Sequence, residues 1–166
     1  FLDTPGIGEA LRKQILYTRH DYEVPVGAGV DWLISRPEVN PDRIGIIGSS
    51  LGGYYVSRAA AFEPRLKAVA AWGAIYDYHH VWQERLAIRG TSGAPKFQLM
   101  FITGKESIEA AVDHIKDFKV APFADRITAP FLVLHGAEDR QIPMSDAQKM
   151  FDAIGSTEKE MMVFDG

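Results

Sequence analysis

RIGIIGSSLGG, residues 43–53, changes character halfway along. Its first half, RIGII, is a short apolar run of the kind shown by a strand covered on both faces. Its second half is serine and glycine, and it leads into Tyr54 to Phe62, which reads as a helix ending before Pro64. Gly48-Ser49-Ser50-Leu51-Gly52 is therefore a G-x-S-x-G between a strand and a helix, the setting that a nucleophile elbow requires. In such an elbow the serine sits on a strained turn that pushes its hydroxyl out above the sheet. Glycines two before and two after are expected to leave room where a Cβ would collide with neighbouring backbone. The Leu51 N–H, at the start of the helix, would face the carbonyl oxygen as it becomes an oxyanion. Ser50 is thus the candidate nucleophile and Leu51 half of a candidate oxyanion hole, with Ser49 a spacer and Ser57 a helix-face serine.

Outward from that turn the elements alternate in the βαβ manner, which argues for a parallel sheet with helices on its faces. Upstream, Tyr17 to Ser35 places Val26, Val30, Leu33 and Ile34 on one face of a helix, and Pro37 and Pro41 stop it. Downstream, LKAVAAWG (66–73) and APFLVLHG (129–136) are buried strands, the second being the clearest in the chain. PMSDAQKMFDAIG (143–155) is an amphipathic helix closed by Gly155, and EMMVFD (160–165) a last strand. Between the two buried strands the pattern turns aromatic and charged, with YDYHHVWQERL and a helix expected from Glu106 to Phe118. The expected organisation is a first core part (1–75), an inserted helical lid above the sheet (76–125) and a second core part (126–166). The N-terminal stub through Asp3 is read as the end of a first strand. Right-handed crossovers and a site at the carboxyl ends of the strands follow.

A nucleophilic serine needs a base, and the base an acid to orient it; in this arrangement the chain order is serine, acid, histidine. VLHGAEDRQIP places Asp139 in the loop directly after the clearest strand, at the sheet's carboxyl edge, and makes it the candidate acid over its neighbour Glu138. Asp125 lies before the strand, at the wrong end. The five histidines are His20, His79, His80, His114 and His135. His135 ends the strand and reads as a packed, hydrogen-bonded residue; His79 and His80 fall in the insertion, ahead of the acid. None follows the last strand, where the base belongs, so the base is expected beyond Gly166.

The opening FLDTPGIGE carries an Asp-x-x-Gly, Asp3 to Gly6, the form in which a GTPase holds Mg²⁺. A guanine-reading Asn-Lys-x-Asp is missing downstream, and TGKES (103–107) lacks the spaced glycine and the Ser/Thr directly after Lys that a phosphate loop needs. Turn chemistry accounts for the tetrapeptide. With a net charge of −4, no basic field draws the chain to nucleic acid or anionic lipid. The absence of cysteine removes disulfides, thiolate zinc sites and a cysteine nucleophile together. No apolar run approaches the roughly 20 residues of a membrane span. Phe1 is not a natural start, and the chain is expected to be an excerpt of a longer protein.

The blocks DTPGIGE, GSSLGGYY, EPRLKAVAAWGA, LHGAEDRQIP and MMVFDG, in that order, resemble an α/β-hydrolase branch. That branch includes 2,6-dihydroxypseudooxynicotine hydrolase and hydrolases that shorten polyketides in fungi. The resemblance implies a mostly parallel sheet with helices on both faces, early strands upstream of Phe1 and a catalytic histidine after a Gly-Asp-Gly-type turn beyond FDG. It maps the nucleophile onto Ser50 and the acid onto Asp139. It also implies cleavage of an acyl C–C bond beside a ketone, or of an ester, on a small-molecule substrate, with neither cofactor nor metal. The insertion would then set substrate shape, with Tyr76, Trp82 and Glu84 as candidate substrate-binding residues. A carboxylesterase or acyl-peptidase of the same fold is the chemical alternative; a non-catalytic binding module is the alternative if residues 1–166 are the mature chain. A cytoplasmic location and a homodimer complete the expectations.

Overall fold

The computed structural model describes residues 2–87 and 96–165. Residues 88–95 of the expected insertion therefore lie outside the description, as do Phe1 and Gly166. Four strands, β1 (Gly45–Ser49), β2 (Ala68–Trp72), β3 (Phe131–Gly136) and β4 (Lys159–Phe164), form one parallel sheet in the order β1-β2-β3-β4. In register, Ile46, Val69, Phe131 and Lys159 make one row across the sheet, and Gly48, Ala71, Val133 and Met161 the next on the same face. Those rows hold the buried strand residues Val69, Ala71, Phe131 and Val133.

The same face is covered by α3 (Leu51–Phe62), which packs on β1 and β2, and α7 (Met144–Ala153), which packs on β3. The two helices touch each other, Ser57 Oγ lying 3.6 Å from Met150 Sδ, so they share one side. Helix α2 (Glu23–Ile34) packs outside α3 through Val26 and Val30. The opposite face is bare among the described residues: Ile47, Trp72 and Met162 are 65%, 57% and 42% exposed. Among the described residues the helices that pack on the sheet lie on this one face.

Two boundaries also differ from the sequence reading. Leu2 and Asp3 form no strand, since no described strand pairs with them; the Asp3 Oδ2 accepts from the Glu9 N–H at 2.6 Å, at the start of α1 (Gly8–Arg12). A Cβ on Gly8 would lie 1.8 Å from Asp3 Oδ1. This packing is the turn chemistry behind the Asp-x-x-Gly. Helix α2 begins at Glu23, not Tyr17, because the preceding segment runs elsewhere: the Thr18 N–H donates to Ile102 O at 2.8 Å.

Between β2 and β3 the chain forms α4 (Tyr78–Ala87), α5 (Lys96–Thr103) and α6 (Ile108–His114). Helix α6 is shorter than the expected 106–118; Ser107 caps it by accepting from the Ala110 N–H at 3.1 Å. The two ends of this segment are tied in a short antiparallel seam. The Val120 N–H donates to Tyr76 O at 2.8 Å and the Tyr78 N–H to Phe118 O at 2.9 Å, on either side of the Asp77–Lys119 bridge. No helix among the described residues is long and apolar enough to cross a membrane.

Candidate active site

Ser50 stands between the last residue of β1 and the first of α3, with its backbone at φ 56°, ψ −121°. An L-residue rarely enters that region, and holding one there costs of order 1–3 kcal/mol. The turn is pinned on both sides: the Ser50 N–H donates to Trp72 O at 2.7 Å, and the Gly53 N–H donates to Ser50 O at 2.8 Å. The Ser50 hydroxyl makes no capping bond to its own helix, and the residue is exposed at the sheet's rim.

Gly48 allows the bend. A Cβ there would lie 2.3 Å from Gly52 O and 2.8 Å from Val56 Cγ1, so no larger residue fits while strand and helix approach this closely. Gly52 behaves otherwise than expected: a Cβ on it would meet nothing within 4 Å. Its carbonyl is the group pressed against Gly48, while the residue itself lines the cleft above the elbow. Leu51 opens α3, and among the described residues no group accepts its N–H. That leaves the donor aimed from a helix N-terminus, where developing negative charge is favoured.

Asp139 follows β3, and a cleft of about 290 Å³ is lined by Ser50, Trp72 and Gly73 on one side and Asp139, Gln141 and Ile142 on the other. The acid loop is knit by hydrogen bonds. Asp139 Oδ1 accepts from the Gln141 N–H at 2.7 Å and the Ile142 N–H at 3.1 Å, and Oδ2 has no hydrogen-bond partner among the described residues. His135 is fully buried and its Nε2 lies 3.0 Å from Ile142 O, so this ring nitrogen carries the proton and donates. It ties the loop to β3, the packed role read from the sequence. Arg85, on α4, donates from Nη2 at 2.8 Å and Nε at 3.2 Å to Gln141 O and clasps the loop from above.

The other histidines lie away from this cleft. His114 Nε2 is 3.0 Å from Thr18 O, His80 pairs with Glu84 at 3.3 Å along α4, His20 is exposed and His79 half-buried. Among the described residues no cluster of three His, Cys, Asp or Glu side chains is placed to hold a metal.

A larger cleft of about 660 Å³ opens beside the elbow. Its floor is Gly48 to Gly52, its walls include Tyr22, Tyr55 and Val56, and α4 contributes Tyr78, Trp82 and Arg85. Of the three residues expected to meet substrate, the structure places Trp82 in this wall. Tyr76 and Glu84 line neither cleft: Tyr76 sits in the seam, and the Glu84 side chain is 49% exposed beside His80.

Sequence reasoning missed Arg85 and Asp146. Asp146, in the first turn of α7, is buried, and its Oδ1 accepts from the Tyr76 N–H at 2.8 Å and the Asp77 N–H at 3.1 Å. Burial pushes its carboxyl above the usual range, against those two hydrogen bonds. The spacing of Tyr78, Trp82 and Arg85 at i, i+4 and i+7 was a helical stripe that could have flagged Arg85. No local pattern marks Asp146.

With the geometry in place, comparison with known proteins is informative. 2,6-dihydropseudooxynicotine hydrolase of Paenarthrobacter nicotinovorans is 28% identical over 97% of this chain and 41% of its own length. Hydrolyase poxO of Penicillium oxalicum is 28% identical over 90% of this chain and 44% of its own length. The crystal structure of 2,6-dihydroxy-pseudo-oxynicotine hydrolase superposes with a TM-score of 0.86 at 28% identity, over 99% of this chain and 44% of that one. The chain spans less than half the length of these relatives. Residues 4–165 match the prolyl oligopeptidase family.

Proposed function

The chain belongs to the prolyl oligopeptidase family, within the α/β-hydrolase fold, and from that premise we propose that it carries the nucleophile and acid of a serine hydrolase acting on a small acyl compound. The observation that carries this reading is the backbone of Ser50 at φ 56°, ψ −121°, in a cleft shared with Asp139. In the proposed reaction Ser50 Oγ attacks the acyl carbon and gives its proton to an imidazole oriented by Asp139 Oδ2. The Leu51 N–H takes the oxyanion. Collapse breaks either the C–C bond, releasing an enolate that the imidazolium protonates, or the ester C–O bond, releasing an alkoxide protonated in the same way. Water then hydrolyses the acyl-serine. The imidazole is assigned to a residue outside 1–166, since the five histidines of the chain are placed away from the cleft or locked in it. The segment between β2 and β3 serves as the lid of this site.

Within this reading the bond cleaved is an acyl C–C bond or an ester, which the same apparatus serves equally. Product analysis on matched aryl diketones and aryl esters separates the two. The serine assignment is tested by fluorophosphonate labelling of the full-length protein: labelling should reach Ser50 and vanish in Ser50→Ala. Labelling that survives that change would overturn the reading.

A further inference from the structure

Helix α4 turns three residues toward the 660 Å³ cleft that holds Ser50: Tyr78, Trp82 and Arg85, one above another on one face. One of them carries hydrogen-bond donors that the protein does not use up. Trp82 is 1% exposed, so its indole is packed beneath the cleft surface and serves as a platform. Arg85 lies over the Trp82 ring, 5.1 Å from its centroid, and is half-buried. Its contacts within the protein go to one carbonyl, Gln141 O, and among the described residues no carboxylate pairs with it.

Buried cations are ordinarily paired with an anion, since desolvation otherwise works against the charge. Desolvation does hold the Arg85 guanidinium below its ordinary pKa, with Asp139 exerting only a weaker opposing pull. Arg85 is also the one formally charged residue among the described residues lining this cleft, whose walls are otherwise apolar, hydroxyl-bearing or, at Gln98 and Gln141, amide. A cleft in which the described residues supply a single, unpaired cation is complementary to one kind of guest.

We propose that Arg85 forms a subsite for a negatively charged oxygen, so that the preferred substrate is a largely apolar acyl compound bearing one oxyanion: a carboxylate, enolate or phenolate. This rests on the serine-hydrolase reading and deepens it. The guanidinium, stacked on the Trp82 ring, supplies the charge, while the neighbouring elbow holds the acyl carbon.

The test uses fluorophosphonate labelling of Ser50 in the full-length protein, with 4-phenylbutyrate and 4-phenylbutanol as competing probes of equal shape and different charge. The carboxylate should protect Ser50 at a concentration at least ten times lower than the alcohol. That preference should fall about tenfold or more in Arg85→Gln and partly return in Arg85→Lys. Equal protection by the two probes, or a preference that Arg85→Gln leaves intact, overturns the subsite. A wild-type protein that is not labelled at all overturns the serine-hydrolase reading instead, so the two failures are distinguishable. Slower labelling of Arg85→Gln, without any change in the ratio between probes, would reduce Arg85 to a clasp on the acid loop and likewise overturn the proposal.

Discussion

Ser50 follows β1 and Asp139 follows β3, with β2 between those strands, and the two side chains reach one cleft by opposite means. The elbow is built by steric crowding. Its serine occupies left-handed backbone, and Gly48 is pressed so close to Gly52 O that a Cβ could not be added. The acid loop has no such backbone. Its aspartate is held by two N–H groups of its own loop, and the loop in turn by His135 from the sheet and Arg85 from α4. Crowding makes position depend on the absence of atoms, whereas hydrogen bonds make it depend on partners distant in sequence.

The sharpest way to break that comparison is to remove each functional group in turn. Ser50→Ala should lower turnover by at least about 10⁴, measured as kcat on whichever acyl substrate the full-length protein hydrolyses, because the proposed reaction runs through its hydroxyl. Asp139→Asn should cost somewhat less, about 10³–10⁴ in kcat, since the amide keeps one acceptor for the Gln141 and Ile142 N–H groups but no longer stabilises an imidazolium. If Asp139→Asn retained full activity, the acid would have to be sought elsewhere.

Stability effects come next. Gly48→Ala should destabilise by roughly 1–3 kcal/mol, read as a fall in the denaturation midpoint, because the methyl overlaps the Gly52 carbonyl. An equivalent change at Gly52 meets open space and should leave the midpoint nearly unmoved while its side chain intrudes on the cleft.

The smallest effect belongs to Asp146. Its carboxyl is raised by burial, so folding is favoured most below the unfolded-state value of about 3.9 and that advantage is lost as pH rises through the higher folded-state value. Asp146→Asn keeps an acceptor for Tyr76 and Asp77 and cannot ionise, so its stability relative to wild type should improve from acid toward neutral pH. Asp146→Ala orphans both N–H groups and should cost about 1–3 kcal/mol throughout. Denaturant titrations at pH 4 and pH 7 measure both.

The contrast between elbow and loop also explains what could be read in advance. A steric requirement writes itself into the chain locally, as glycine at a fixed distance from serine between an apolar run and a helix, so the strained turn at Ser50, with Leu51 opening the helix, was legible at once. The place of Asp139 in the loop after β3, lining a cleft with Ser50, was legible by position. Arg85 and Asp146 act on backbone carbonyl and amide groups 56 and about 70 residues away, and every residue offers such groups, so no local pattern marks Asp146, while Arg85 shows only as the third member of the Tyr78–Trp82 helical stripe. The apolar stub at Leu2 carries no sign of whether a neighbouring strand pairs with it.

The chain leaves and rejoins the sheet region through one seam, with Tyr76 and Tyr78 laddered to Val120 and Phe118 and Asp146 bonded beneath. The helices between are held again where Ile102 O and His114 meet Thr18 and where Arg85 meets Gln141 O. Such an arrangement behaves as a braced arch, in which a change at one footing is resisted by the others.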